Sequence, residues 1–234
     1  MKIGIMQPYF LPYIGYFQLI RSVDKFVVCD DVQYIKQGWI NRNKILVNDN
    51  KKLFVLSLKK GERSLNINKR YFSDKFDKER DNIIKMINMS YKKAPYFSTV
   101  MPVILDIFSY NSTVNIAEFN YNSLKLLCNY LNINKEFIKS SNIVKDNTLK
   151  CQDKVIDMVK KLNGDIYINC IGGKCLYSKE IFQDNKINLL FIKTDEFRYK
   201  QCKNNFIPNL SIIDVLMFNS INKISEYLDT YHLI

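Results

Sequence analysis

Histidine is almost missing from this 234-residue chain: only His232 occurs, close to the C-terminus. A Ser-His-Asp or Cys-His nucleophile system needs an embedded imidazole, so both are excluded, and so is a His-rich metal site. Acid–base chemistry is left to Asp, Glu, Tyr, Lys or Cys. The six cysteines include no C-x-x-C pair, and only Cys170 and Cys175 lie close together. With a single His they cannot complete a zinc-finger pattern; reduced, buried thiols of a cytosolic protein are expected, and no metal. No apolar run reaches the ~18 residues of a membrane span, and the run at Met1–Pro8 is too short for a signal peptide. A cytoplasmic protein without a membrane span is therefore expected. No run of five or six basic residues, internal repeat or low-complexity linker is present.

Hydrophobic residues make up 47% and charged residues 25%, ordinary globular usage that argues against disorder. Fifteen Tyr and fifteen Phe imply an aromatic core. Lys plus Arg (35) exceed Asp plus Glu (23), giving a net charge of +12. Such a field attracts nucleic acid, phosphorylated metabolites or anionic surfaces. An abundance of Asn, Ile and Lys is equally what a low-GC genome imposes, and both readings stay open. At ~150 residues per domain the length allows one or two domains; short connections favour one, over 1–234.

Lys2–Met6 reads as a buried strand. Pro8 and Pro12 forbid a helix in the loop that follows. Tyr13–Ser22 carries an apolar face at Ile14, Phe17, Leu19 and Ile20 and reads as a helix, and Lys25–Cys29 as a second strand. This β-loop-α-β unit belongs to a parallel sheet. Lys44–Val47 and Leu53–Leu58 suggest a hairpin. Helices are expected over 73–92, 95–110 and 116–131, then a strand near Phe137-Ile138, a helix near 153–162, a strand at 165–169, a helix near 177–182 and a strand at 189–192. Ser211–Phe218 and Ile221–Leu228 form a helical tail. The expectation is an α/β fold with one mainly parallel sheet, HUP- or Rossmann-like, with a helical insertion near 74–132 and a helical C-terminal tail. Ligands of such sheets bind beyond the carboxyl ends of the strands, where the strand order reverses. That rule points at 7–15, 30–43 and 169–177.

Within 7–15, Gln7 and Tyr13 flank a Pro-stiffened turn into a helix, suited to phosphate. Phe10-Leu11-Pro12-Tyr13-Ile14-Gly15-Tyr16 resembles the F-x-P-x-H-x-G-H turn of HUP nucleotidyltransferases. Tyr13 and Tyr16 stand where that motif has the histidines that stabilise the phosphorus transition state. Asp30-Asp31-Val32-Gln33-Tyr34 ends the second strand, where a carboxylate could grip ribose, share Mg²⁺ or act as a general base. Neighbouring side chains on extended backbone point apart, so one of the two should face the cleft. Lys36 and Gly38-Trp39-Ile40-Asn41-Arg42-Asn43 combine a stacking face, a guanidinium fork and two amides, fit for a nucleotide or sugar or, alternatively, for anchoring the loop. Asn169, Gly172, Gly173 and Tyr177 surround a Gly-Gly turn that would admit positive φ and close approach of an anion. Tyr96 and Tyr199 lie beside polar groups but suit packing as well.

Met1 to Tyr16, Asp30 to Tyr34, Gly38 to Asn43, Tyr91-Lys92-Lys93-Ala94-Pro95-Tyr96-Phe97, Tyr167-Ile168-Asn169 with Gly172-Gly173 and Leu176-Tyr177, and Phe206-Ile207-Pro208-Asn209-Leu210-Ser211-Ile212-Ile213-Asp214 together resemble the WbqC-like family, in order and over nearly the whole chain. That family occurs in bacterial gene clusters for O-antigen and other surface polysaccharides. The resemblance implies a transferase that attaches an acyl or aminoacyl group, such as glycine, to the nitrogen of a nucleotide-linked amino sugar. The donor would be carried on coenzyme A, a carrier protein or an aminoacyl-tRNA. From chemistry, Asp30 or Asp31 would be the base and Tyr34 a proton relay. Gln7, Tyr13, Gln33, Lys36, Trp39, Asn41, Arg42, Asn43, Tyr96, Asn169, Gly172, Gly173 and Tyr177 would bind substrate. The rivals are HUP-type nucleotidyl or adenylate-forming chemistry and a non-catalytic nucleic-acid-binding protein.

Overall fold

The computed structural model describes residues 1–110, 115–202 and 206–234. Strands β1 (Lys2–Met6), β2 (Lys25–Val28), β5 (Glu136–Lys139), β6 (Ile166–Cys170), β7 (Asn188–Thr194) and β8 (Tyr231–Leu233) form one sheet in the order β5-β2-β1-β6-β7-β8. All neighbours are parallel except β7 and β8. The expected α/β class and mainly parallel sheet are therefore present. The antiparallel edge strand β8 was not expected: its three residues are too few for a periodic signal, and it places His232 on a sheet edge, with Nδ1 against the Asp195 carboxylate.

Alternation along the strands divides the core. Ile3, Ile5, Val27, Tyr167, Leu189 and Phe191 face helices α5 (Cys151–Lys161) and α6 (Lys179–Asp184) through Val155, Met158, Val159 and Phe182. Phe26, Val28, Ile168 and Ile192 face the other way. They join one continuous cluster with helices α1 (Ile14–Ser22), α4 (Ile116–Tyr130), α7 (Ile212–Phe218) and α8 (Ile221–Leu228). Every residue of α1 from Ile14 to Ile20 is buried, Gln18 included. Gln18 stays in the core because its amide donates to the carbonyls of Tyr227 (2.7 Å) and Thr230 (3.1 Å) and accepts from Thr194 Oγ1 (2.6 Å).

The insertion between β2 and β5 is longer than the helical segment expected near 74–132. It includes a separate two-stranded hairpin, β3 (Arg42–Val47) and β4 (Asn50–Val55), ahead of α2 (Phe76–Tyr91), α3 (Phe97–Ile107) and α4. Asn48 and Asp49 turn the hairpin, both with positive φ (46° and 61°), a two-residue turn that short Asx side chains accept.

The loop from Gln7 to Tyr13 joins sheet, insertion and C-terminal helices. Its carbonyls are satisfied from all three. The Gln7 carbonyl accepts from Tyr16 Oη (2.7 Å), that of Pro8 from Asn120 Nδ2 (2.7 Å), and that of Phe10 from Asn43 Nδ2 (2.9 Å). The Leu11 carbonyl accepts from both Asn43 Nδ2 and Ser211 Oγ (2.7 Å each), and that of Pro12 from the Ile212 N–H (2.8 Å). Leu11 sits at φ 46°, an unfavourable region for a bulky side chain, which only such external hold can maintain. Asn43→Ala removes two of these donors from buried carbonyls and should lower stability by about 2–3 kcal/mol in urea unfolding. A loss under 0.5 kcal/mol, on the order of a neutral surface change, would contradict the clamp.

Candidate functional site at the carboxyl edge of the sheet

β1 lies between β2 and β6, so strand order reverses between β1 and β6. Beyond the carboxyl ends there, the chain places Gln7 after β1, Asp30 and Asp31 after β2, Ser140 and Ser141 after β5, Asn169 in β6 and Thr194 at the end of β7. Half of the residues expected at a site lie along this edge, on two faces of the sheet.

Asp30 and Asp31 point apart, as extended backbone requires. Asp30 is buried; its carboxylate accepts from Ser140 Oγ (3.0 Å), the Ser141 N–H (2.9 Å), Ser141 Oγ (2.7 Å) and Asn68 Nδ2 (3.3 Å). It locks the end of β5 to that of β2. Asp31 faces α5. Lys145 Nζ is 2.7 Å and Lys154 Nζ 3.6 Å from its Oδ2, and Ser140 Oγ donates to Oδ1. Burial raises the Asp31 pKa, but the hydrogen bonds and charges of Lys145, Ser140 and Lys154 outweigh it and leave the carboxyl below its usual range. A carboxylate held this firmly ionised is a poor proton acceptor, which weakens the expected role of Asp31 as base. Among the described residues no group of three or more His, Cys, Asp or Glu side chains gathers to hold a metal.

On the same face, Asn169 Nδ2 donates to the hydroxyls of Tyr167 (2.6 Å) and Tyr177 (3.2 Å), and its Oδ1 accepts from the Cys170 N–H (2.6 Å). Gly172 and Gly173 lie in a 3-10 turn, Ile171–Leu176, with no positive φ. The Gly-Gly pair is therefore not needed for left-handed backbone. Gly173 instead fits closely over Asn169 and Tyr177, where a Cβ would stand 3.3–3.4 Å from both.

The loop over 33–43 lies outside this edge and serves mainly as scaffold. Asn41 donates to the Leu56 carbonyl (2.8 Å) and accepts from Tyr34 Oη (2.8 Å); Asn43 holds the Phe10–Leu11 carbonyls. Arg42 Nε donates to the Gly38 carbonyl (3.0 Å), and its second nitrogen to that of Gln37. Trp39, 38% exposed, carries the Arg42 and Lys44 cations on its ring. Gln33 donates to the Arg63 carbonyl (2.8 Å), and Lys36 is exposed. Tyr96 caps α3 and bonds through its N–H to the Met217 carbonyl, behind α7.

The other face holds a cavity of about 620 Å³, lined by Tyr13 and Ile14, by Thr194 to Tyr199, and by Phe206, Pro208, Asn209, Leu210 and Val215. Of the residues expected to bind substrate, only Tyr13 reaches it. The rule that singled out loops after carboxyl strand ends applies equally to the loop after β7, so its position after a predicted strand was the available signal. The cavity opens at the start of α1. Tyr13 is the N-cap but makes no side-chain cap, and the first turn has no acidic residue. Gly15 is required there: a Cβ would collide with the Tyr13 ring and press on Thr194 Oγ1. Arg198 is exposed and has no polar partner among the described residues, while Phe197, Tyr199 and Phe206 supply aromatic faces. Behind the wall, buried Asp214 accepts from Tyr199 Oη (2.6 Å), Gln201 Nε2 (2.7 Å) and Tyr91 Oη (2.9 Å), and Gln201 in turn binds the Ile207 backbone. That network ties Tyr199 and Gln201, and through Gln201 the Ile207 backbone, to Asp214 of α7. Burial raises the Asp214 carboxyl despite these donors.

Cys170 connects the two faces: its thiol meets the Tyr13 hydroxyl, and burial pushes it up to about 11. Cys29 and Cys128 are pushed up to about 12, also by burial. The expectation of buried thiols holds for these three, whereas Cys151, Cys175 and Cys202 are exposed. A thiol reagent at pH 8 should label Cys151 and Cys175 quickly and Cys29, Cys128 and Cys170 only after unfolding; fast labelling of Cys170 would contradict its burial. For Asp31 the folded pKa lies below the unfolded one, so its stabilisation is present above the unfolded value and is lost as pH falls through the folded value. Wild type should therefore be more stable than Asp31→Asn at pH 7, with the gap closing below about pH 4 in parallel urea titrations; a gap independent of pH would contradict the ion-pair geometry.

The family model described as the WbqC-like protein family matches residues 7–226. The chain is also similar to a Mycobacterium tuberculosis protein described as uncharacterized protein Rv1507c, 24% identical over 229 residues, which covers 97% of each chain. No solved structure matches. With the match running from the loop after β1 into α8, the chain belongs to the WbqC-like protein family.

Proposed function

We propose that the protein is a transferase that places an acyl or aminoacyl group on the nitrogen of a nucleotide-linked amino sugar. The observation that carries this reading is the cavity at the carboxyl edge, which combines aromatic walls, two carboxylates and one unpaired guanidinium beside the start of α1. Sugars pack their C–H faces on aromatic rings and direct hydroxyls and ammonium groups to carboxylates. A diphosphate suits Arg198 and the uncapped backbone N–H groups of α1. Cavities of a few hundred Å³ are the size that encloses such ligands.

In this reading Glu196, rather than Asp30 or Asp31, takes the proton from the sugar ammonium; Asp195 beside it is already bonded to His232 Nδ1. The freed amine then attacks the carbonyl of an activated donor carried on coenzyme A, a carrier protein or an aminoacyl-tRNA; the amide C–N bond forms as the thioester C–S or ester C–O bond breaks, and the carrier thiol or tRNA hydroxyl leaves with the proton the amine gives up. Asp30 is saturated with donors and Asp31 is held between lysines, so neither is poised for that step. Nucleotidyl transfer is the weaker reading. Tyr16 is fully enclosed with its hydroxyl on the Gln7 carbonyl, so it cannot reach a phosphate where the HUP motif has histidine.

Calorimetric titration with uridine-diphosphate amino sugars tests the reading. Binding should weaken about tenfold in Arg198→Met, the loss of roughly one charge-assisted hydrogen bond. A ligand at ~100 times its Kd should stabilise wild type by about 2.7 kcal/mol. No binding, or full affinity in Arg198→Met, would contradict it.

A further inference from the structure

The α5 face of the carboxyl edge carries a feature that the cavity does not use. Lys145 and Lys154 both approach Asp31 Oδ2, and all three side chains are largely enclosed, 2%, 16% and 14% exposed. The Asp31 oxygens are already occupied. Oδ2 receives Lys145 at 2.7 Å, Oδ1 receives Ser140 Oγ, and Lys145 also donates to the Ser140 carbonyl. Lys154 stands 3.6 Å away, beyond hydrogen-bond reach, and its ammonium makes no hydrogen bond among the described residues. Asp30 does not balance it, because its carboxylate is turned to Ser140, Ser141 and Asn68 on the opposite face. One carboxylate therefore serves two cations, and the second keeps three N–H donors and a positive charge in a partly desolvated place.

A burial of this kind is costly unless an anion completes it. Around the station, Cys29 is near enough to interact electrostatically with Asp31, Lys154 and Tyr177, whose half-buried hydroxyl is held by Asn169 and Tyr167. Gly173 keeps the space over Tyr177 and Asn169 clear. Gly172 is exposed, with no atom within 4 Å of where a Cβ would stand. Asp31 and Lys145 act as the fixed frame, and Lys154 as the free hand.

We propose that Lys154, held 3.6 Å from Asp31 Oδ2 whose oxygens Lys145 and Ser140 already fill, forms an anion-binding subsite for a phosphate group of a small-molecule substrate. This rests on the transferase reading for its biological use: the reaction needs two substrates, and the two faces of one sheet edge offer two stations. The phosphate could belong to the diphosphate of the nucleotide sugar or to a coenzyme A donor; both present the same oxygen chemistry to an ammonium.

Calorimetric titration of the full chain with inorganic pyrophosphate, uridine diphosphate and coenzyme A tests the subsite. In Lys154→Met, which keeps the apolar stem, pyrophosphate affinity should fall at least tenfold. Lys154→Arg should stay within threefold of wild type. If Lys154→Met does not fold, Lys154→Gln takes its place. The arm that loses affinity with Lys154, uridine diphosphate or coenzyme A, identifies the source, and loss in either supports the subsite. Unchanged pyrophosphate affinity in Lys154→Met, or no pyrophosphate binding by wild type, would overturn it. The two readings fail separately. Nucleotide-sugar binding that depends on Arg198, with pyrophosphate indifferent to Lys154, removes only the subsite. Pyrophosphate binding that depends on Lys154, with no nucleotide sugar bound, removes only the cavity reading.

Discussion

The backbone of the Gln7–Tyr13 loop is the constraint on which the rest of the molecule depends. Its prolines cannot donate, and its carbonyls are turned into the interior, where each needs a donor. Those donors come from distant parts of the sequence: Tyr16 of α1, Asn43 of the hairpin, Asn120 of α4, and Ser211 and Ile212 at the head of α7. Insertion and C-terminal helices are thereby fixed to the first strand by polar contacts as well as by the apolar cluster. The same loop delivers Tyr13 to the cavity and sets where α1 begins. Residues that never touch a ligand therefore determine the geometry of the place where one would sit.

The carboxyl edge separates two kinds of electrostatics. On the α5 face, Asp31, Lys145 and Ser140 after β5 are bonded to one another, which stiffens that region and leaves Lys154 with unfilled donors. On the α1 face, the strap after β7 presents Glu196 and Arg198 to open space, while Asp195 is paired with His232, and Asp214 and Gln201 support the strap from behind. Reactivity belongs where side chains keep unfilled hydrogen-bonding capacity, and precision where they do not. A net charge of +12 adds a long-range attraction for anions that suits phosphorylated substrates on either face.

Much of the scaffold was legible in the sequence, because apolar periodicity and the prolines report directly on local geometry. The two N-terminal strands, the long helices and the parallel sheet follow from continuous apolar runs separated by helical patterns. The edge strand β8 and the extent of the insertion did not, since three residues carry no period and the hairpin pairs only with itself. The candidate site was legible in part. Asp31 and Asn169 lie at the edge because they follow or end strands, and Tyr177 because it closes the turn after β6, a property of order along the chain. The assignments of Asn41 and Asn43 to ligand were less successful for a physical reason: an amide beside an aromatic looks the same in sequence whether it awaits a sugar or satisfies a buried carbonyl. Lys145 and Lys154 come to Asp31 from more than a hundred residues away, a juxtaposition no local pattern encodes.

Hydrogen–deuterium exchange on the full chain, with and without a uridine-diphosphate amino sugar, tests most directly whether the carboxyl edge is the working surface. The account predicts slowed exchange confined to the start of α1, over 13–17, and to the strap over 194–199. Protection that falls instead on the β3–β4 hairpin or the Trp39 loop, with the edge unchanged, would contradict it.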